Sequence, residues 1–134
     1  MRPPRRAALR RAHRLAAMLA LAIIAGFQVA TIASEAFGDA AVVIQVKTGV
    51  VMALPVLIAS LIAAAGTGRR LAGGWNGRIV ALKQRRMRIV AAIGVLVLAP
   101  AAVALMIMAR AGAFGPAFIA LQGLEIAAGL VNLA

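Results

Sequence analysis

The chain has 134 residues, of which 64% are hydrophobic and only 13% are charged, and its mean hydropathy is +1.00. A soluble domain has about 25% charged residues, so this composition excludes one and predicts a single membrane domain. The net charge of +12 lies in two basic blocks without interleaved aromatic residues, which favours anionic lipid headgroups over nucleic acid as the partner.

The first 14 residues contain six arginines and no acidic residue, and an apolar run from Leu15 to Ala33 follows directly. A secretory signal peptide begins in the same way, but this run of about 19 residues is longer than a usual signal core and can cross a bilayer. We therefore expect a retained first span at about residues 15–36. Within it Gln28, Thr31 and Glu35 are spaced i, i+3 and i+7, so they share one helix face.

The second span is expected at about residues 41–65. Pro55 should kink its middle, because proline lacks the N–H group that the helix needs there. Residues 66–68, Gly-Thr-Gly, are expected to end the span. Its first two turns carry three polar side chains, namely Gln45, Lys47 and Thr48.

A basic loop is predicted between the second and third spans, at residues 66–87. It contains turn signals at residues 73–74 and 76–77, and Trp75 between them suits a membrane interface. The loop could act only as a determinant of topology, or it could bind anionic headgroups. The residues expected to contact headgroups are Arg69, Arg70, Arg78, Lys83, Arg85, Arg86 and Arg88.

The third and fourth spans are expected at about residues 88–110 and 117–134. No helix breaker occurs between Arg78 and Pro100, so the third helix should begin in the headgroup region. A tight turn is predicted at residues 111–116. Lysine and arginine are concentrated at the N-terminus and in the loop between spans two and three, which places both termini in the cytoplasm. The predicted fold is all-α, an antiparallel four-helix membrane bundle.

A polar stripe crosses the fourth span and includes a carboxylate inside an apolar helix. Its members are spaced i, i+3, i+7 and i+10, and they are Gln122, Glu125, Gly129 and Asn132. Because such a stripe should face protein rather than lipid, we expect a polar seam inside the bundle. Its candidate members from the other spans are Gln28, Glu35, Gln45 and Lys47.

Lys47 and Glu125 are predicted to lie at similar depths. Glu125 is about nine residues, or roughly 14 Å, from the outer end of its span, and Lys47 about six residues, or roughly 9 Å, from the outer end of its own. The axial difference of about 5 Å is within reach of a lysine side chain. A Lys47–Glu125 ion pair is therefore allowed, and Glu35 is the competing partner for Lys47.

The seam has two interpretations. Ionisable groups inside membranes are costly and often functional, and burial of an unpaired carboxylate favours its neutral form, which would suit proton exchange. The simpler interpretation is a structural clasp of interhelical hydrogen bonds. No metal site is expected, since His13 is the only histidine and is expected to face headgroups. No cofactor is predicted, although a single histidine is compatible with a His–Met haem or with a haem shared between two chains.

Several short segments resemble a group of small, uncharacterised four-helix inner-membrane proteins of proteobacteria. The similar segments are the basic His13-Arg14 opening with its apolar span, residues 46–48, 83–87 and 113–114, and above all residues 121–125 with 128–133. The resemblance implies a four-helix fold in the bacterial inner membrane and no particular activity. Members of the group usually carry a further short polar tail after the Asn-Leu segment, so the sequence is compatible with a longer chain.

Three functions are expected in decreasing order. The first is a non-enzymatic accessory subunit or scaffold of the inner membrane, with a membrane-protein partner or a second copy of the chain. The second is a proton-coupled transporter that works as a homodimer, with Glu125 as the coupling carboxylate and Lys47 as its switchable partner. The third is a redox subunit that holds haem or quinone.

Overall fold

The computed structural model describes residues 2–74 and 77–134. Over these residues the chain folds into α-helices joined by short turns, with one π turn: α1 (Pro3–Phe37), α2 (Ala40–Ala72), α3 (Arg78–Ile93), the π turn (Gly94–Leu98), α4 (Ala99–Arg110) and α5 (Pro116–Leu133). Trp75 and Asn76, for which an interfacial position and a turn are predicted, lie outside the described residues.

Four helical segments of the described chain are long and apolar enough to cross a membrane. They are α1, α2, the continuous helix Arg78–Arg110 formed by α3, the π turn and α4, and α5. We call Arg78–Arg110 the third span. This confirms the prediction of an all-helical chain with four helices able to span a membrane.

Local sequence explains where the helices begin and end. α1 begins at Pro3. Proline suits the first helical position because an N–H group there would have no acceptor within the helix, so its absence costs nothing. Asp39 caps α2, and its carboxylate accepts a hydrogen bond from the Val42 amide at 2.9 Å. Gly112 in the turn before α5 has φ +71°, a left-handed conformation that favours glycine.

Three of the helices extend well beyond their apolar cores. α1 has 35 residues, α2 has 33 and the third span has 33, so each is about 50 Å long, against about 30 Å for a hydrocarbon core. The basic segments are therefore largely helical. Residues 66–68 do not end α2, which continues to Ala72.

His13 joins the extended ends of α1 and α2. Its Nδ1 atom lies 3.0 Å from the Ala64 carbonyl oxygen and 3.1 Å from Thr67 Oγ1. A Cβ atom on Gly68 would lie 3.1 Å from the imidazole Cε1, so glycine at this position leaves room for the ring. His13 is half-buried between two helices rather than facing headgroups, because α2 continues alongside it.

Each span packs against two others. α2 contacts α1 and the third span, and α5 also contacts α1 and the third span. Within the described residues, no Cα atoms of α2 and α5, or of α1 and α4, approach within 8 Å. α2 and α5 are therefore diagonal to each other. A small apolar core lies at one end of this arrangement and consists of Val43, Leu105, Ala109 and Phe118.

The π turn interrupts the third span just before Pro100. Here the Ala99 amide donates to the Gly94 carbonyl, five residues earlier instead of four. Proline cannot donate to the preceding turn, so a change in the hydrogen-bond register at this point is expected on chemical grounds. Pro55 lies inside α2, which remains helical on both sides of it.

Candidate functional site

The candidate site is centred on Lys47, whose side chain is 1% exposed. Its Nζ atom donates to Glu125 Oε2 at 3.0 Å and also to Gln122 Oε1. Gln122 completes the triangle, because its Nε2 atom donates to the same Glu125 oxygen at 2.9 Å. We call Lys47, Gln122, Glu125 and the nearby Glu35 the ion-pair cluster.

The lysine side chain spans the diagonal of the helix arrangement. It originates on α2 and ends at α5, two helices whose described backbones are not in direct contact. Gln122 and Glu125 are three residues apart and therefore project from the same face of α5. The flexible four-carbon stem of lysine allows this reach.

A second carboxylate lies on the other side of the ammonium group. Glu35 Oε1 is 3.9 Å from Lys47 Nζ, and the Glu35 side chain is 29% exposed against 11% for Glu125. The cluster thus contains two carboxylates for one ammonium group. Glu35 can be solvated in part, whereas Glu125 depends mainly on Lys47 and Gln122 for its stabilisation.

The sequence pattern identified most of this cluster but misplaced Gln45. The structure brings together Lys47, Gln122, Glu125 and Glu35, whereas Gln45 lies on an exposed face of α2 and does not join them. Two residues along a helix correspond to a rotation of about 200°, so Gln45 and Lys47 cannot face the same neighbour. Arg110, not predicted as part of the site, reaches Thr48 Oγ1 at 3.3 Å near the cluster.

A second group of polar residues lies further along the stripe. Gln28 of α1 packs directly on Gly129 of α5, since a Cβ atom built on this glycine would lie 1.4 Å from Gln28 Nε2. Asn132 donates through Nδ2 to the Val90 carbonyl at 3.3 Å. Gln28 Oε1 and Asn132 Oδ1 are buried and have no hydrogen-bond partner among the described residues.

Sequence reasoning missed the role of Gly129, which the structure shows to be a contact site for a glutamine. It also missed Val90 as a partner of Asn132. The only available signal for Gly129 was its place on the polar stripe, between Glu125 and Asn132.

All the residues expected to contact headgroups are exposed on the extended helices: Arg69, Arg70, Arg78, Lys83, Arg85, Arg86 and Arg88. Arg86 in addition donates to the Ala134 carbonyl. Within residues 2–74 and 77–134, no group of three or more His, Cys, Asp or Glu side chains could hold a metal ion. The ion-pair cluster contains carboxylate, ammonium and amide groups, which suit charge pairing and proton binding.

No protein-family model, no curated protein and no solved structure matches this chain. The candidate site therefore rests on its own geometry.

The contact between Gln28 and Gly129 leads to a prediction. Gly129→Ala should lower the melting temperature in detergent, because the new methyl group displaces the buried Gln28 amide; unsatisfied buried polar groups cost about 1–3 kcal/mol. The matched control is Gly123→Ala in the same helix, where a Cβ atom meets no atom within 4 Å. The control should be neutral or slightly stabilising, by up to about 1 kcal/mol of helix propensity. Equal melting temperatures for the two variants would contradict the close contact.

Proposed function

We propose that this chain is a non-enzymatic, multi-pass protein of the bacterial inner membrane that serves as an accessory subunit or scaffold. The resemblance to small inner-membrane proteins of proteobacteria supports this location. In this proposal the chain forms an antiparallel four-helix bundle with both termini in the cytoplasm, and its basic helix ends lie against anionic headgroups. The partner is another membrane protein or a second copy of the chain.

The orientation follows from the charge distribution. On one side, the helix ends carry the arginine-rich N-terminus and the basic residues of α2 and α3. On the other side, Arg110 at the end of α4 is the only basic residue in or next to the connecting turns. Positively charged segments are retained in the cytoplasm. The extension of α1 beside α2, joined at His13, is consistent with two basic helix ends on the same side.

Cysteine labelling tests the orientation without background, because the natural chain has no cysteine. In intact spheroplasts a membrane-impermeant maleimide should label Ala113→Cys, which is exposed in the turn before α5. It should label Ala81→Cys, exposed on α3, only after permeabilisation. The reverse pattern would refute the proposed orientation.

The observation that carries the structural role is the Lys47 side chain at the centre of the ion-pair cluster. It connects α1, α2 and α5 through Glu35 and Glu125. A lysine inside a membrane costs about 2.5–3.5 kcal/mol on insertion scales, and pairing with Glu125 and Gln122 offsets this cost. Three hydrogen bonds join Lys47, Gln122 and Glu125, as expected of a clasp that fixes helix positions.

A double-mutant cycle tests the clasp. Lys47→Met should destabilise the protein in detergent by about 3–5 kcal/mol, because it leaves two carboxylates without their cation. Glu125→Met should cost less, since Lys47 keeps Glu35 as a partner. The double variant should recover part of the loss, with a coupling energy of about 0.5–3 kcal/mol.

The control for this cycle is Gln45→Met, an exposed position on the same helix, which should change stability by no more than about 0.5 kcal/mol. Unfolding would be followed by circular dichroism in a denaturing detergent titration. Strictly additive losses in the double variant would show that Lys47 and Glu125 do not act as a pair.

A second candidate function is proton-coupled transport, and one observation favours it. Lys47 lies between Glu35, which is partly exposed, and Glu125, which borders an interior cavity. An ammonium group that exchanges between two carboxylates is a simple bistable element, because protonation of one carboxylate releases the cation to the other. Glu125 would be the coupling carboxylate and Lys47 its switchable partner.

Liposomes containing a trapped pH dye test this second function. Wild-type protein should carry protons down an imposed gradient, and Glu125→Gln should reduce the flux by about tenfold or more, equivalent to about 1.4 kcal/mol in the barrier. Asp39→Asn is the matched control, because Asp39 is an exposed helix cap outside the cluster. Flux no greater than that of empty liposomes, with the protein folded, would remove the transport function.

A further inference from the structure

An interior cavity of about 70 Å³ lies beside the ion-pair cluster, between the four spans. Most of its lining is apolar and comes from the leucine, isoleucine and valine side chains of α1, α2 and the third span. Four residues of the lining are polar, namely Gln28, Thr31, Glu125 and Asn132. We call this space the amide cavity.

Two buried acceptors of the amide cavity have no donor. Gln28 Oε1 and Asn132 Oδ1 each expose less than 1 Å² and have no hydrogen-bond partner within the described residues, so a small rotation of each amide must open it to a molecule in the cavity. The orientation of the Asn132 amide is defined by chemistry, because its Nδ2 atom donates to the Val90 carbonyl and an oxygen in that place would be repelled. An unpaired amide oxygen in a membrane interior is costly, so the cavity favours an occupant that donates hydrogen bonds.

Glu125 provides a third acceptor at the wall of the cavity. Both hydrogen bonds that Glu125 accepts from described residues end on Oε2. Its Oε1 atom therefore retains its capacity to accept a hydrogen bond. Together with the Thr31 hydroxyl, these groups supply the two to four polar partners that a buried water molecule needs.

The volume decides between possible occupants. A dry apolar cavity that binds benzene has about 150 Å³, roughly twice the volume of the amide cavity, so an aromatic ring or a lipid chain would be too large. A water molecule needs only about 10–15 Å³ of space measured in this way, so the cavity can hold more than one. Water also offers the donors that the two amide oxygens lack.

We propose that the amide cavity is a binding site for water, which donates hydrogen bonds to Gln28 Oε1 and Asn132 Oδ1 and lies against Glu125. Water bound there gives the interior carboxylate a proton donor on the side of Asn132, opposite Glu35. In the proton step, a hydronium ion transfers one proton to the Glu125 carboxylate and becomes water. Glu125 becomes a neutral acid, and Lys47 remains paired with Glu35. This proton step rests on transport as the second candidate function, whereas the water site does not.

Water-edited solid-state NMR on the protein in liposomes tests the site directly. The sequence contains only four glutamines and two asparagines, so labelling their side-chain amides with ¹⁵N gives a simple spectrum. Magnetisation should pass from water to the amides of Gln28 and Asn132, as it does to exposed Gln84. Transfer to Gln84 alone would overturn the proposal.

The variant Ala102→Leu tests whether the magnetisation transfer comes from water in the amide cavity. Ala102 lines the cavity and is 2% exposed, so the larger side chain should fill the space and abolish transfer to Gln28 and Asn132. Ala92→Leu, at an exposed position of the same span, is the matched control and should leave the transfer intact. If Ala102→Leu does not fold, Asn132→Leu should instead reduce the transfer to Gln28.

If magnetisation still passed from water to Gln28 and Asn132 in Ala102→Leu, the water would lie outside the amide cavity, and the proposed site would be refuted. Proton flux is measured separately in liposomes, so the two ideas can fail independently. Water transfer without flux would leave the water site standing and remove its proton step.

Discussion

The structure depends on one desolvated ion pair between two helices whose backbones are not in direct contact. Lys47 on α2 reaches Glu125 on diagonal α5, and this connection ties the rotation and the axial position of one helix to those of the other. Apolar packing in a membrane has no comparable specificity, because lipid chains are as apolar as leucine side chains. Sliding α5 by one turn, about 5.4 Å, would separate the two charges. The pair therefore selects one arrangement among many that bury similar apolar area.

The outer and inner parts of the polar stripe on α5 differ in how well they are satisfied. Gln122 and Glu125 have partners, whereas the oxygen of Asn132 has none among the described residues. Gly129 lies between them and allows the Gln28 side chain to enter the helix interface. The π turn at Gly94 lines the same cavity beside Asn132, and such turns often accompany functional sites. The unsatisfied part of the stripe is thus where binding rather than packing is expected.

Much of this could be predicted from sequence, and the limits have physical causes. The number of long apolar helices followed from hydropathy, and depth and charge allowed a contact between Lys47 and Glu125, with Glu35 as the competing partner. The continuation of α2 beyond residues 66–68 could not be predicted, because glycine and arginine residues suggest a loop there. Tertiary contacts such as that of His13 with Thr67 stabilise the continued helix. The contact of the Gln28 side chain with Gly129 depends on how α1 and α5 are rotated relative to each other. Spacing along one helix contains no information about that rotation.

The imbalance of charge in the ion-pair cluster links its structural role to its possible function. If only Lys47 and Glu125 were present, the pair would be neutral and Lys47 would have no second carboxylate to move to. Glu35 lies 3.9 Å from the same ammonium group and is partly solvated, so Lys47 has an alternative partner at small displacement. The relative stability of the two pairings depends on how well each carboxylate is stabilised without the lysine. Water in the amide cavity would stabilise Glu125 without the lysine, and this would reduce the free-energy difference between the Lys47–Glu125 and Lys47–Glu35 pairings. In a dry cavity Glu125 would depend on Lys47, so the lysine would stay paired with it. In the proposal made above, hydration of this one small space would decide whether the cluster acts as a fixed clasp or as a switch.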